Sequence, residues 1–295
     1  MKRDKNYIFG IIALFLAALT WGSAFVFMKT GVEAFSPEWL LGMRFCLSGV
    51  LLNLVCIKKW KEVNKSILKH GLWMGVILYL EFYFFALGIQ YTTASKSSFI
   101  VAAYIAFVPA AYWVIRRKRP ETRDFVASLV CLSGAAIILL ESGSGGLNKG
   151  DMLTLGCTVF YAVHVVYGGV YAREESPLLL NMIQIGTSGI IAMAAALISG
   201  PYPTDASAAD LGGVVYLAVV STIVPYLLSL YGQAHVRTAT SAVILSFESV
   251  FGCLSSVIVL KEHVSLRFVL GAVVIMAAFL ISEGLFERKN MEKAR

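Results

Sequence analysis

The sequence predicts an all-α integral membrane protein with ten transmembrane helices, arranged as two inverted five-helix repeats. Composition is the first reason, because apolar residues make up 58% of the 295 residues and charged residues only 15%. Soluble globular domains are roughly 45–50% apolar and about 25% charged. The mean hydropathy is +0.75, so lipid is the solvent that suits this chain, and soluble, disordered and fibrous classes are excluded.

Ten apolar segments meet or approach the length of a membrane span, which is roughly 17–25 residues for an α-helix. The segments are 7–28, 37–57, 71–91, 94–115, 125–140, 152–171, 178–199, 211–231, 239–260 and 268–286. The links between them are short, and none could hold a soluble domain. The first segment follows a basic N-terminus, as in a signal peptide, but it exceeds the length of a signal peptide's apolar region. We therefore expect it to be retained.

Lys and Arg residues concentrate in alternate links between these segments. Clusters at 58–69, at 116–123 and near both termini fall on one side of the predicted membrane, and few basic residues fall on the other. Because basic residues concentrate in cytoplasmic links, we expect both termini in the cytoplasm and the chain in the cell (plasma) membrane. The lipid bilayer then accounts for the net charge of +7, and no nucleic-acid partner is expected.

The sequence lacks the patterns of the common metal, disulfide and nucleotide sites. Cys46, Cys56, Cys131, Cys157 and Cys253 lie far apart inside apolar segments and form no C-x-x-C pair. No Walker-type glycine-rich loop is present, so direct use of ATP is not expected. We therefore expect no metal, no disulfide and no cofactor.

The two halves of the chain resemble each other. The shift along the sequence that superposes Ser97 on Ser241 also superposes Phe107 on Phe251, and we call this shift the repeat offset. Each half would contain five spans, and because five is odd, the second half enters the membrane the opposite way up. Inverted repeats of this kind are typical of transporters whose substrate site lies near the midplane of the bilayer.

The repeat sets the expected domain boundaries. The first five-helix repeat covers 1–141 and the second, inverted repeat covers 150–287. A glycine-rich external linker, 142–149, joins the two repeats, and a cytoplasmic tail, 288–295, follows the second.

Several short motifs carry a resemblance to a known family. They are Trp21-Gly22-Ser23-Ala24-Phe25, Pro37 with Arg44-Phe45, Phe247-Glu248, and Leu260-Lys261-Glu262. In this order and spacing the chain resembles the EamA family of the drug/metabolite transporter superfamily. The resemblance implies a secondary carrier, not an enzyme, and many such carriers export amino acids and related metabolites. Ser249 stands where family members commonly have proline, so a straighter ninth helix is expected here.

Two carboxylates lie near the centres of predicted spans. Glu81 is central in the third span and Glu248 in the ninth. An ionised carboxylate at the bilayer centre costs at least ~2.5–3.5 kcal/mol, so each is expected to face protein or a water-filled cavity, or to be protonated. We take both as candidate substrate-binding residues. The alternative is structural, with Glu248 in a helix–helix hydrogen bond and Glu81 packed.

Helical spacing adds three candidates. Ser241 is seven residues from Glu248, which would place it on the same helical face. Tyr161 and His164 belong to a polar face of the sixth span. His164 could share a proton with a carboxylate near neutral pH, although a lone histidine is commonly a packed core residue.

Four further candidates come from depth and from the repeat. Trp21 lies well inside the first span, away from the interfacial aromatic belt. Arg44, near the external end of the second span, would reach outward to water or pair with a carboxylate. Gln184 corresponds to Arg44 when the Ser-Pro pairs that open the second and seventh spans are superposed. Tyr104 corresponds to Glu248 at the repeat offset.

The sequence as a whole indicates a secondary transporter of a small polar metabolite, such as an amino acid or related amine. Its partners would be that small-molecule substrate, the bilayer and, if transport is coupled, protons. A non-transporting membrane scaffold is the alternative. An intramembrane enzyme built on His164 with Glu81 or Glu248 is a weaker one, because no H-E-x-x-H pair and no G-x-S-x-G motif occurs.

Overall fold

The computed structural model describes residues 5–117, 119, 122–139, 148–236 and 238–282, and within these ranges the protein is all-helical. The first six helices are α1 (Lys5–Ala34), α2 (Pro37–Val55), α3 (Lys65–Ile89), α4 (Ala94–Ala102), α5 (Val108–Arg116) and α6 (Thr122–Leu139). The other seven are α7 (Lys149–Tyr171), α8 (Pro177–Ser199), α9 (Ala208–Ala218), α10 (Val224–His235), α11 (Thr238–Leu245), α12 (Phe247–Val259) and α13 (Leu266–Ser282). The expected linker up to residue 147 and the expected tail lie outside the described residues.

Every predicted span falls on a helix or on a pair of consecutive helices. Six spans in the described residues are long and apolar enough to cross a membrane, and the pair α4 and α5, bent by 41°, would make a seventh. The other three predicted spans fall on shorter apolar helices within α6, α12 and α13. The prediction of a helical membrane protein is confirmed, and the count of ten crossings stays a prediction.

Local sequence explains where several helices begin. Pro37 opens α2, where its missing N–H costs nothing, and the Ser36 side chain accepts a hydrogen bond from Trp39 N. Asn148 and Asp151 form a reciprocal capping box at the start of α7. These caps fix the ends of helices whose middles consist almost entirely of apolar residues.

The fourth and ninth spans are interrupted at corresponding positions. The fourth passes from α4 into a short 3₁₀ segment, Ala103–Ala106, before α5 begins. In the ninth, Ser246 separates α11 from α12. The repeat offset relates Ala102, the last residue of α4, to Ser246, so Tyr104 lies within one interruption and Glu248 follows the other closely. The expectation of a straighter ninth helix stays a prediction, since Ser246 keeps a helical backbone conformation (φ −63°, ψ −17°).

Helices from the two halves pack against each other throughout the molecule. The pairs with the most extensive contact are α2 with α8, α6 with α13, α3 with α7, α3 with α8, α1 with α10, and α1 with α12. Gly22 allows the last pair to pack backbone to backbone, since a Cβ at this position would lie 2.9 Å from Glu248 O. This close approach brings Glu248 against the middle of α1.

Two basic side chains donate hydrogen bonds to equivalent turns at opposite ends of the bundle. Lys29 near the end of α1 and Arg173 just after α7 are related by the repeat offset, and each donates to carbonyl oxygens of a turn between helices. The acceptors are Ile89 O (3.0 Å) and Thr92 O (3.1 Å) for Lys29, and Gln233 O (3.4 Å) and Val236 O (2.6 Å) for Arg173. The repeat offset also relates Ile89 to Gln233 and Thr92 to Val236. The internal repeat is therefore visible in these contacts as well as in the sequence.

Candidate functional site

A buried cavity lies between helices of both halves at mid-depth. About 450 Å³ of this region is not filled by protein atoms, a volume that includes space open to solvent. The residues of its wall used below are Trp21, Phe25, Met28, Arg44, Glu81, Phe82, Phe85, Tyr161, Ser221, Tyr226 and Glu248. The cavity therefore combines two carboxylates and one guanidinium with a largely aromatic surface.

Glu248 lies in the first turn of α12 and is only 3% exposed. Tyr161, from α7, donates its hydroxyl to Glu248 Oε2 at 3.1 Å. Behind it, the ring of Tyr104 packs against Tyr161 with centroids 4.3 Å apart. Tyr161, which belongs to the same half of the chain as Glu248, thus orients the carboxylate. Tyr104, the residue that the repeat offset relates to Glu248, packs behind Tyr161.

Glu81, from α3, is 5% exposed, and its Oε2 atom has no hydrogen-bond partner. His164 lies beside it, with its Nδ1 atom 3.6 Å from Glu81 Oε2. A buried carboxylate oxygen without a donor is costly, unless a proton or a ligand occupies it. Glu81 is therefore the group on the cavity wall that most clearly needs a partner.

A chain of amides fixes the orientation of His164. Asn181 Nδ2 donates to two backbone carbonyls, so Asn181 Oδ1 accepts from Gln184 Nε2 at 2.6 Å. Gln184 Oε1 must then accept from His164 Nε2 at 2.8 Å. In a neutral imidazole this leaves Nδ1 without a hydrogen, facing Glu81. Glu81 and His164 can therefore share one proton across their 3.6 Å separation.

Arg44 is fully buried, and it neither reaches outward nor pairs with a carboxylate among the described residues. Its Nε atom donates to Thr222 Oγ1 at 2.8 Å, and Nη2 donates to Ser221 O at 3.1 Å. Its Nη1 atom contacts Met28 Sδ at 3.3 Å. Both expectations for this residue are wrong, because a neighbouring helix supplies the acceptors that an arginine at this depth requires.

The acceptors for Arg44 come from a π-helical turn, Val219–Ile223, between α9 and α10. Pro225 has no N–H to donate to the carbonyl four residues earlier, that of Ser221, which is left to accept from Arg44. Thr222 Oγ1 in turn donates to Leu217 O, five residues earlier. Sequence analysis missed this turn, although Pro225 within an apolar segment was a signal for it. Such turns are frequent at functional sites.

The predicted site residues fall into three groups. Trp21, Arg44, Glu81, Tyr161 and Glu248 line the cavity. Tyr104, His164 and Gln184 are buried behind residues of the wall and contact them or one another. Ser241 is buried in α11, before the interruption at Ser246, and is not among the residues that line the cavity. That it shares a helical face with Glu248 stays a prediction.

Tyr226 is a cavity residue that sequence analysis missed. Its ring packs edge-on against Trp21, with centroids 5.1 Å apart, and it also contacts His164. Trp21 Nε1 has no hydrogen-bond partner and is buried. The wall thus presents an unpartnered donor, on Trp21, and an unpartnered acceptor, on Glu81.

The described residues contain no group of three or more His, Cys, Asp or Glu side chains that could hold a metal ion. Their cysteines are free. The cavity wall presents charged groups, hydrogen-bonding groups and aromatic surface.

Comparisons with known proteins support a membrane transporter. The model of the EamA-like transporter family matches residues 8–140 and 148–283. A protein of Archaeoglobus fulgidus called an uncharacterized transporter is 28% identical over 280 residues, which cover 93% of this chain and 85% of the relative. The uncharacterized inner membrane transporter YedA of Escherichia coli is 27% identical over 72% of this chain and 70% of its own length.

The fold also matches a known structure. A solved crystal structure superposes with a TM-score of 0.67 at 16% sequence identity, covering 95% of this chain and 98% of the other. At this identity the match supports the fold alone.

Proposed function

We propose, since the chain belongs to the EamA-like transporter family, that it is a secondary carrier for a small metabolite bearing an amine, such as an amino acid or related amine. Family and relatives identify it as a multi-span membrane transporter. The substrate, the direction and the mechanism are our proposal. Export is the direction that we propose, by alternating access around the midplane cavity.

The observation that carries the proposal is the convergence of Glu81 and Glu248 on one cavity. The two carboxylates come from different halves of the chain, and both are nearly inaccessible to bulk water. Uncompensated carboxylates at this depth are expensive. An ammonium group would satisfy them, and the aromatic wall would hold the rest of the substrate.

Alternating access is supported by the internal symmetry. The interruptions after Ala102 and at Ser246 are related by the repeat offset. The same offset relates the turns that accept hydrogen bonds from Lys29 and Arg173. Discontinuous helices at matching places in two repeats commonly mark the substrate site of a carrier. Rocking of one half against the other would then expose the cavity to each side of the membrane in turn.

Proton coupling is proposed through Glu81 and His164, because the pair can hold one proton beside the cavity. The cell membrane is the proposed location, with both termini in the cytoplasm. The E. coli relative is described as an inner membrane protein, which agrees with this placement.

Exchange by purified protein in liposomes tests the proposal. Liposomes loaded with one amine or amino acid from a panel should take up its radiolabelled form against no net gradient, and empty liposomes should not. Exchange of at least one panel member supports a carrier. A membrane scaffold predicts no exchange of any member, and an enzyme predicts chemical conversion of the label, which chromatography of the recovered compound would detect.

A further inference from the structure

We infer that the substrate is an organic monocation, an amine without a carboxylate, rather than a zwitterionic amino acid. The inference rests on the proposed function and narrows it to one substrate class. It is carried by the way in which Arg44 is held and by the groups that remain unpartnered on the cavity wall.

Arg44 supplies the guanidinium of the wall, and each of its three nitrogen atoms contacts an acceptor of the protein. The edge formed by Nε and Nη2, one of the two edges that can bind a carboxylate through two parallel hydrogen bonds, binds Thr222 and Ser221. The remaining nitrogen contacts the sulfur of Met28. The ring of Phe82 covers one face, with its centroid 4.3 Å from the guanidinium carbon. A substrate carboxylate would have to displace these contacts.

The charges of the wall favour a cation. With all three groups ionised, Glu81, Glu248 and Arg44 sum to one negative charge, which a single ammonium neutralises. A zwitterion leaves the sum unchanged and adds a carboxylate beside two others in a medium of low dielectric constant, where repulsion is strong. Once Glu81 has released its proton, the cavity is therefore matched to a net charge of +1 on its ligand.

Aromatic rings supply the rest of the recognition. Faces and edges of Trp21, Phe25, Phe85 and Tyr226 surround the space next to the carboxylates. Aromatic faces attract an alkylammonium group and also bury an apolar body. The unpartnered Trp21 Nε1 suits a neutral acceptor such as a hydroxyl oxygen. A single indole donor would not compensate the desolvation of a carboxylate.

Three indole compounds with related side chains test the inference. Purified protein in nanodiscs is titrated with tryptamine, tryptophan and indole-3-propionate, which present an ammonium, both charges and a carboxylate respectively. We expect tryptamine to bind at least about tenfold more tightly than tryptophan, and indole-3-propionate not to bind measurably. Glu248→Gln and Glu81→Gln should each weaken tryptamine binding. Glu33→Gln, which makes the same change at an exposed position, should leave it unchanged.

The outcomes separate this inference from the broader proposal. Tryptophan binding as tightly as tryptamine, or tryptamine failing to bind, overturns the monocation class. If amino acids are nonetheless exchanged by the protein in liposomes, the carrier proposal stands without it. If no amine and no amino acid is bound or exchanged, both fail. Tryptamine binding that persists in both carboxylate variants also overturns the inference, because the ammonium would then lie elsewhere.

Discussion

At the scale of single residues, the two carboxylates of the cavity differ in their hydrogen-bond partners. Glu248 already accepts a hydrogen bond from Tyr161, whereas Glu81 Oε2 has no hydrogen-bond partner and faces His164 at 3.6 Å. A group without a fixed partner is the one that can exchange a proton or a ligand during a cycle. We therefore assign substrate binding to both carboxylates and proton exchange to Glu81.

The first prediction concerns Glu81→Gln. The amide keeps the shape of the side chain but carries no titratable proton, so the dependence of transport on a pH gradient should be lost while substrate exchange continues at a reduced rate. The other charged or titratable groups remain in place: His164 beside Glu81, and Arg44, Cys157, Tyr161, Tyr226 and Glu248 on the cavity wall. Transport into liposomes is measured with and without an imposed gradient. Wild-type dependence on the gradient in the variant would exclude Glu81 as the coupling group.

A companion change separates coupling from packing. His164→Gln removes the imidazole that faces Glu81 but retains an amide able to donate to Gln184. Coupling should weaken, and the protein should still purify as a monodisperse species. If this variant aggregates while Glu81→Gln is stable and fully coupled, His164 is a packing residue.

At the scale of helices, the end of the bundle where α4 begins is held by two contacts between the halves of the chain, which we call the brace. The first two N–H groups of α4, from Ala94 and Ser95, donate to the two carboxylate oxygens of Glu262 at 2.9 and 2.8 Å. Lys96 pairs with Asp151 at 2.7 Å. Both acids belong to the second half of the chain. The positions that the repeat offset relates to these acids hold a lysine and a tyrosine, so the sequence does not repeat the acids of this brace at the opposite end.

The brace predicts that Glu262→Gln loosens the end of the bundle where α4 begins. An amide has one acceptor oxygen in place of two, so one of the helix N–H groups loses its partner. A cysteine at Ser95, in a background without the native cysteines, should then react severalfold faster with a soluble thiol reagent. Asp205→Asn, an exposed change in the α8–α9 link, is the control. Equal rates in Glu262→Gln and its parent would show that the brace does not control access.

Sequence analysis anticipated the helices and the carboxylates because both depend on local pattern and depth. Glu81, Glu248, Tyr161 and Trp21 were found in this way, and all four line the cavity. Arg44 could not be placed, because its partners lie in a π-helical turn of the other half of the chain, and no local pattern connects the two. Ser241 was a candidate by helical spacing alone and does not line the cavity, because counting along one helix does not show which helices pack against it.

At the scale of the whole molecule, the repeat predicts which links share a side of the membrane. Two exposed positions suit a cysteine substitution: Lys61, between α2 and α3, and Asp205, between α8 and α9. In intact cells an impermeant thiol reagent should label Asp205→Cys and not Lys61→Cys, since the basic links are expected in the cytoplasm. After permeabilisation both should react. Labelling of both sites before permeabilisation, or of Lys61→Cys alone, would contradict the ten-span inverted topology.

The account depends most on Glu248 as a substrate-binding group, and Glu248→Gln tests it most directly. Exchange of a radiolabelled substrate is compared in liposomes containing the parent, Glu248→Gln or Glu33→Gln, with matched amounts of monodisperse protein. The amide keeps an acceptor for Tyr161 but removes the charge, so we predict loss of at least about 90% of exchange, which corresponds to about 1.4 kcal/mol or more of binding. The exposed control should retain full exchange. Activity of Glu248→Gln within about twofold of the parent, a difference below about 1 kcal/mol, would mean that Glu248 only ties helices together and would contradict the account.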